Sequence, residues 1–155
     1  HGILHSFPTR RSSDLGFGMP TMEVGEELIV DAFGCEPHLL RDASCLQSIV
    51  KSILRDTSLH SLHEGYWHTF AGEGGVTGLV ALQESHLAVH TYPEYRIATF
   101  SLYCCRIGCG WSWDEKLKKA LGATTVTIVR VERGRWPATT SSNGMPTKME
   151  HSREG

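Results

Sequence analysis

No stretch of this 155-residue chain approaches the roughly 20 consecutive apolar residues a helix needs to cross a bilayer. Nor do the first 15 residues hold the apolar run that a secretory signal carries. An excess of charge of one sign is also missing. The formal net charge is -2, which gives no electrostatic pull toward nucleic acid or an anionic membrane. Cysteine is sparse and odd in number, with five residues and no Cys-x-x-Cys pair. That pattern matches neither a disulfide framework nor a zinc ribbon. The thiols are therefore read as reduced and the protein as cytoplasmic, with no nucleic acid and no membrane among its partners.

What is present is an ordinary globular composition, 40% hydrophobic and 21% charged, enough for one domain and one modest core. The start of the chain is set aside. Residues 1–22 include the run Ser6 to Leu15, which lacks apolar periodicity and reads as a translated sequencing adapter or a disordered leader. Residues 137–155 read as a disordered tail by composition. Between them, residues 23–136 form the domain.

In that domain Leu28, Val30 and Ala32 alternate with Glu27, Ile29 and Asp31, which predicts a strand ending at Gly34. Leu46, Ile49, Val50, Ile53 and Leu54 recur at helical spacing, with Asp42 as N-cap and Ser44 with Gln47 at capping-box spacing. Strands are expected near residues 62–70, 76–83, 86–91, 97–104 and 123–133, and a second amphipathic helix over 111–121. The order strand, helix, strands, helix, strand points to an α+β two-layer sandwich, a mainly antiparallel sheet with both helices on one face. An open second face invites a symmetric dimer.

The segment richest in chemistry is Glu84-Ser85-His86-Leu87-Ala88-Val89-His90-Thr91-Tyr92-Pro93-Glu94. His86, His90 and Glu94 share strand parity, although Pro93 argues against one straight strand carrying all three. Three chemistries use such a set: a metal site with the nearby thiols, a histidine-activated nucleophile, and backbone self-cleavage at a serine. An extended His-x-x-x-His counts against the first, and the lack of a Gly-x-Ser-x-Gly elbow against the second.

The motif resembles that of the S-adenosylmethionine decarboxylase family in its short, single-repeat form. Phe33-Gly34-Cys35, Trp67-His68-Thr69-Phe70, Gly75-Val76-Thr77-Gly78, Leu117 to Leu121 and Val131 to Arg135 follow in the expected order. The resemblance implies self-cleavage between Glu84 and Ser85, leaving a pyruvoyl group at position 85 as the built-in cofactor. It implies that Thr77 assists the attack, that His90 is the processing base and that Cys105 is the proton donor in decarboxylation. It places Phe70 and Tyr92 around the adenine, with one extra residue in the turn after Phe70, and Glu94 on the ribose. It implies no metal, and a small-molecule substrate handled by a homodimer of cleaved protomers.

Several positions depart from the family pattern. Glu27 stands where a histidine is usual, Tyr92 replaces a tryptophan, and Ser101-Leu102-Tyr103-Cys104-Cys105-Arg106 replaces Asp-x-Phe-Thr-Cys-Gly. A carboxylate at 27 facing the pocket suits a guanidinium or ammonium. Arginine or ornithine is therefore the alternative substrate, and an uncleaved regulatory homologue the alternative of another class.

Overall fold

The computed structural model describes residues 24–106 and 108–135. The leader at 1–22 and the tail at 137–155 lie outside them. Six strands form one antiparallel sheet: β1 (Gly25–Phe33), β2 (Tyr66–Thr69), β3 (Val76–Ala81), β4 (Ser85–Tyr92), β5 (Ile97–Cys104) and β6 (Thr125–Arg133), in the order β2-β3-β4-β5-β1-β6. Helices α1 (Pro37–Leu40) and α2 (Ala43–Thr57) follow β1, and α3 (Trp113–Leu121) precedes β6. The α+β two-layer architecture expected from the sequence is the observed one.

One-sided burial follows from strand periodicity, which sends alternate side chains to opposite faces. Leu28, Val30 and Ala32 of β1, Leu87 and Val89 of β4, and Ala98, Phe100 and Leu102 of β5 are buried. They pack with Leu46, Ile49, Val50 and Ile53 of α2 and with Trp113, Leu117 and Leu121 of α3 in a single core. The other face is open. Its row Tyr66, Leu79, Ala88, Ser101, Ile29, Val129 runs across all six strands by register. Leu79 is 49% exposed and Val129 55%.

Local chemistry sets most boundaries. Asp42 caps α2 by accepting a hydrogen bond from the Ser44 backbone N–H at 2.8 Å. Ser44 thereby falls inside the helix, so its spacing to Gln47 is not a capping box. Gly122 ends α3 with φ +68°, a left-handed cap that glycine adopts without a Cβ clash. The strand expected over 62–70 contracts to Tyr66–Thr69, with one further bridge from Ser61 to Leu82. The helix expected from 111 starts at Trp113.

One expectation is overturned. Cys104 and Cys109 are disulfide-bonded, leaving Cys35, Cys45 and Cys105 free. The odd cysteine count concealed this pair, because Cys109 reaches Cys104 only once the loop after β5 turns back.

Candidate active site

Ser85 opens β4, directly opposite Cys104 at the end of β5. The preceding hairpin turn is closed by the Leu82 N–H donating to the Ser85 carbonyl at 3.0 Å. The Glu84–Ser85 peptide bond therefore lies at one end of the sheet, in the turn that feeds β4. Cys105, the next residue after β5, donates its thiol to the carbonyl oxygen of Glu84. Twenty-one positions separate these residues in sequence, and the β4–β5 pairing joins them. Burial, and then the charge of Glu84, push the Cys105 thiol above its ordinary pKa, so at neutral pH it is a proton-bearing donor. The Ser85 hydroxyl is buried and has no hydrogen-bond partner among the described residues. An uncommitted hydroxyl beside a carbonyl already held by a donor is chemically unusual, since buried polar atoms are nearly always paired. A cleft of about 210 Å³ borders the turn, lined by His60, Gln83, Glu84, Ser85 and Arg106 among others.

The remaining expected residues gather at the opposite end of the sheet. The Thr77 hydroxyl and His90 Nδ1 are 3.1 Å apart, because Thr77 pairs with His90 in register on the open face. Tyr92 ends β4 on that face, 41% exposed. Phe70 projects from the β2–β3 turn, 51% exposed, its ring edge-on to His68 at 4.6 Å. Glu94 is exposed in the 3-10 turn Pro93–Tyr95. As the proline foretold, β4 carries His86 and His90 but not Glu94.

Within one chain His90 and Ser85 do not meet. Five residues of antiparallel strand span roughly 17 Å. Ser85 also shares parity with buried Leu87, Val89 and Thr91, whereas His90 lies on the open face. The residues expected at the site therefore fall into two separate groups within one chain. Glu84, Ser85 and Cys105 form one; Phe70, Thr77, His90, Tyr92 and Glu94 form the other.

Several contacts escaped sequence reasoning. Glu27 does face the open side, but its carboxylate accepts from Ser101 Oγ at 3.0 Å and pairs with Arg133. Arg133 in turn lies over the Tyr103 ring, which stacks on His86. The departures at 27, 101 and 103 were visible in the sequence; that they meet one another was not. Thr91, inside the motif, is structural: its hydroxyl donates to the Leu40 carbonyl at 2.6 Å and accepts from the Val76 N–H at 2.8 Å.

Comparison with known proteins identifies the family. The family model described as S-adenosylmethionine decarboxylase matches residues 26–134. The S-adenosylmethionine decarboxylase proenzyme of Thermotoga maritima is 32% identical over 129 residues, covering 83% of this chain and 95% of its own length. An arginine decarboxylase proenzyme of Caldivirga maquilingensis is 30% identical over 123 residues, covering 74% and 92%. The crystal structure of the adenosylmethionine decarboxylase from Aquifex aeolicus has the same fold, with a TM-score of 0.63 at 20% identity over 79% of this chain and 98% of that one. With the family model matched over residues 26–134, most of its length, the chain belongs to the S-adenosylmethionine decarboxylase family.

Proposed function

We propose that this chain is a proenzyme that cuts its own backbone between Glu84 and Ser85, converts Ser85 to a pyruvoyl group, and decarboxylates S-adenosylmethionine to supply aminopropyl groups for spermidine. The observation that carries this reading is the Cys105 thiol on the Glu84 carbonyl beside the unpaired Ser85 hydroxyl.

The cleavage follows from these groups. Ser85 Oγ attacks the Glu84 carbonyl carbon, and the Cys105 S–H stabilises the oxyanion where it develops. The C–N bond breaks as the nitrogen takes a proton, leaving an ester between Glu84 and the Ser85 oxygen. A base removes the Cα proton of residue 85. The Cβ–O bond then breaks, Glu84 departs as a free carboxylate, and the dehydroalanine left at 85 hydrolyses with loss of ammonia. The residues present fit formation of the pyruvoyl group, because the Ser85 hydroxyl that must attack is buried and has no partner among the described residues. Once formed, that group supplies an electron-withdrawing carbonyl next to the substrate amine. Cys105, protonated at neutral pH by its raised pKa, delivers the proton that replaces carbon dioxide.

The base is His90 of a second copy. Within one chain His90 is out of reach, so a dimer pairing open face with open face about a two-fold axis sets the Thr77–His90 end of one protomer on the Ser85 end of the other. Exposed Ile29, Leu79, Val129 and Val131 on that face favour the association. Phe70 and Tyr92 then present ring faces to the adenine and the sulfonium cation, and Glu94 accepts from the ribose hydroxyls. A basic amino acid is the less favoured substrate, because the Glu27 carboxylate is already matched by Arg133. A cytoplasmic location goes with the small-molecule substrate; the reduced-thiol argument for it no longer covers Cys104 and Cys109.

Denaturing mass spectrometry tests the cleavage. Two fragments split between Glu84 and Ser85, the second with a blocked, carbonyl-reactive terminus, are expected; one intact chain makes it a regulatory homologue. Carbon dioxide release measured in parallel from S-adenosylmethionine, arginine and ornithine decides the substrate.

A further inference from the structure

Glu26 has no role in the chemistry above, yet it is one of the most deeply buried charged side chains described, at 2% exposure. It faces the helix side of β1, directly opposite Cys104. One carboxylate oxygen accepts the backbone N–H of Gly108 at 3.0 Å and of Cys109 at 3.1 Å. The other oxygen pairs with Arg130 of β6, which offsets the burial of the charge. The preceding residue brings β1 close to the same loop: a Cβ at Gly25 would lie 2.4 Å from the Cys104 carbonyl oxygen and 3.1 Å from the Cys105 Cα. The Cys104–Cys109 bond closes the loop on its other side. Cys105 is thus flanked by two anchored points, one of which is Glu26.

We infer that Glu26 is a positioning residue for Cys105: by gripping the Gly108 and Cys109 N–H groups it holds the loop after β5 in the path that sets the Cys105 thiol on the Glu84 carbonyl. The inference deepens the cleavage reading and rests on it for its functional meaning. A carboxylate suits the task because one oxygen takes two N–H donors at charge-assisted strength. A lysine or arginine at this position would have no acceptor atom with which to make the same grip.

Cys105 reactivity tests this without requiring cleavage. In the full-length Ser85→Ala chain, which has lost its nucleophile, iodoacetamide alkylation at pH 8 is followed site by site by mass spectrometry, with Cys35 and Cys45 as internal references. Glu26→Met fills the buried space but accepts no N–H bond. Loss of the grip releases the thiol from the Glu84 carbonyl and lessens the burial that raises its pKa, so Cys105 is expected to react about tenfold faster, while the references keep their rates. Glu26→Gln retains an acceptor oxygen and is expected to stay within about twofold of the parent. Glu26→Asp keeps the charge but withdraws it by one carbon, and it decides the matter should Glu26→Met not fold; a rise of about threefold at Cys105 alone is expected. Parental reactivity in Glu26→Asp, or an equal rise in Glu26→Gln and Glu26→Met, overturns the inference. Failure of the wild-type chain to cleave would overturn the cleavage reading instead and leave these rates meaningful.

Discussion

Chains carrying Ser85→Ala and chains carrying His90→Ala are each expected to remain uncleaved, or nearly so, when produced alone, yet to rescue one another when produced together. The reason is the roughly 17 Å of strand between residues 85 and 90, against the about 3 Å that proton transfer requires. If His90 acts across a dimer, a site needs Ser85 from one copy and His90 from the other. Losing a general base slows the step by about 10²–10⁴-fold, so His90→Ala alone is expected to cleave over days if the parent takes minutes. In an equal mixture that pairs at random, half the dimers combine both variants, and each of these has one intact site. Roughly a quarter of all sites are then competent. The rescue is directional. Only the His90→Ala chain still carries Ser85, so every cleaved chain must descend from it, and about half of those chains are cut. Intact and cleaved masses differ between the two variants, so denaturing mass spectrometry reads the result directly, with a tag on one variant confirming mixed dimers. Parental cleavage in His90→Ala alone, or no cleavage in verified mixed dimers, would refute the shared site.

Cys105→Ala removes the donor on the Glu84 carbonyl; because a thiol donates weakly, cleavage is expected to slow by about tenfold rather than the full oxyanion-donor effect, as a time course of chain splitting would show. The raised Cys105 pKa means that the acid form persists through neutral pH and is lost only as pH climbs through that raised value. The alkaline limb of the decarboxylation rate should therefore lie above the ordinary thiol range, and a limb below it would reassign the proton donor. Alkylation of the unfolded, unreduced protein should label three cysteines and, after reduction, five; five without reduction would dissolve the Cys104–Cys109 pair. Thr91→Val leaves the Leu40 carbonyl and Val76 N–H unpaired and is expected to cost about 2 kcal/mol in a denaturant titration, while cleavage well below the unfolding midpoint stays at the parental rate.

Much of this protein was legible along the chain. The alternation of Leu28, Val30 and Ala32 with their neighbours, and the i, i+3, i+4 spacing in Leu46–Leu54, point to strand and helix because a pleated strand and an α-helix expose side chains at those periods. The eleven residues around Ser85 carried the resemblance to the family for a related reason: a serine and its flanking peptide are necessarily neighbours in sequence. What only the tertiary structure decided is which of the expected residues meet. Ser85 and His90 are close in number but stand on opposite faces and toward opposite ends of β4, because a strand extends its chain. Glu84 and Cys105, or Glu26 and Cys109, are far apart in number but adjacent in space, because antiparallel pairing folds distant strand ends onto one edge. Local periodicity is written in the order of residues; contact across a sheet depends on register, and register exists only once the strands have paired.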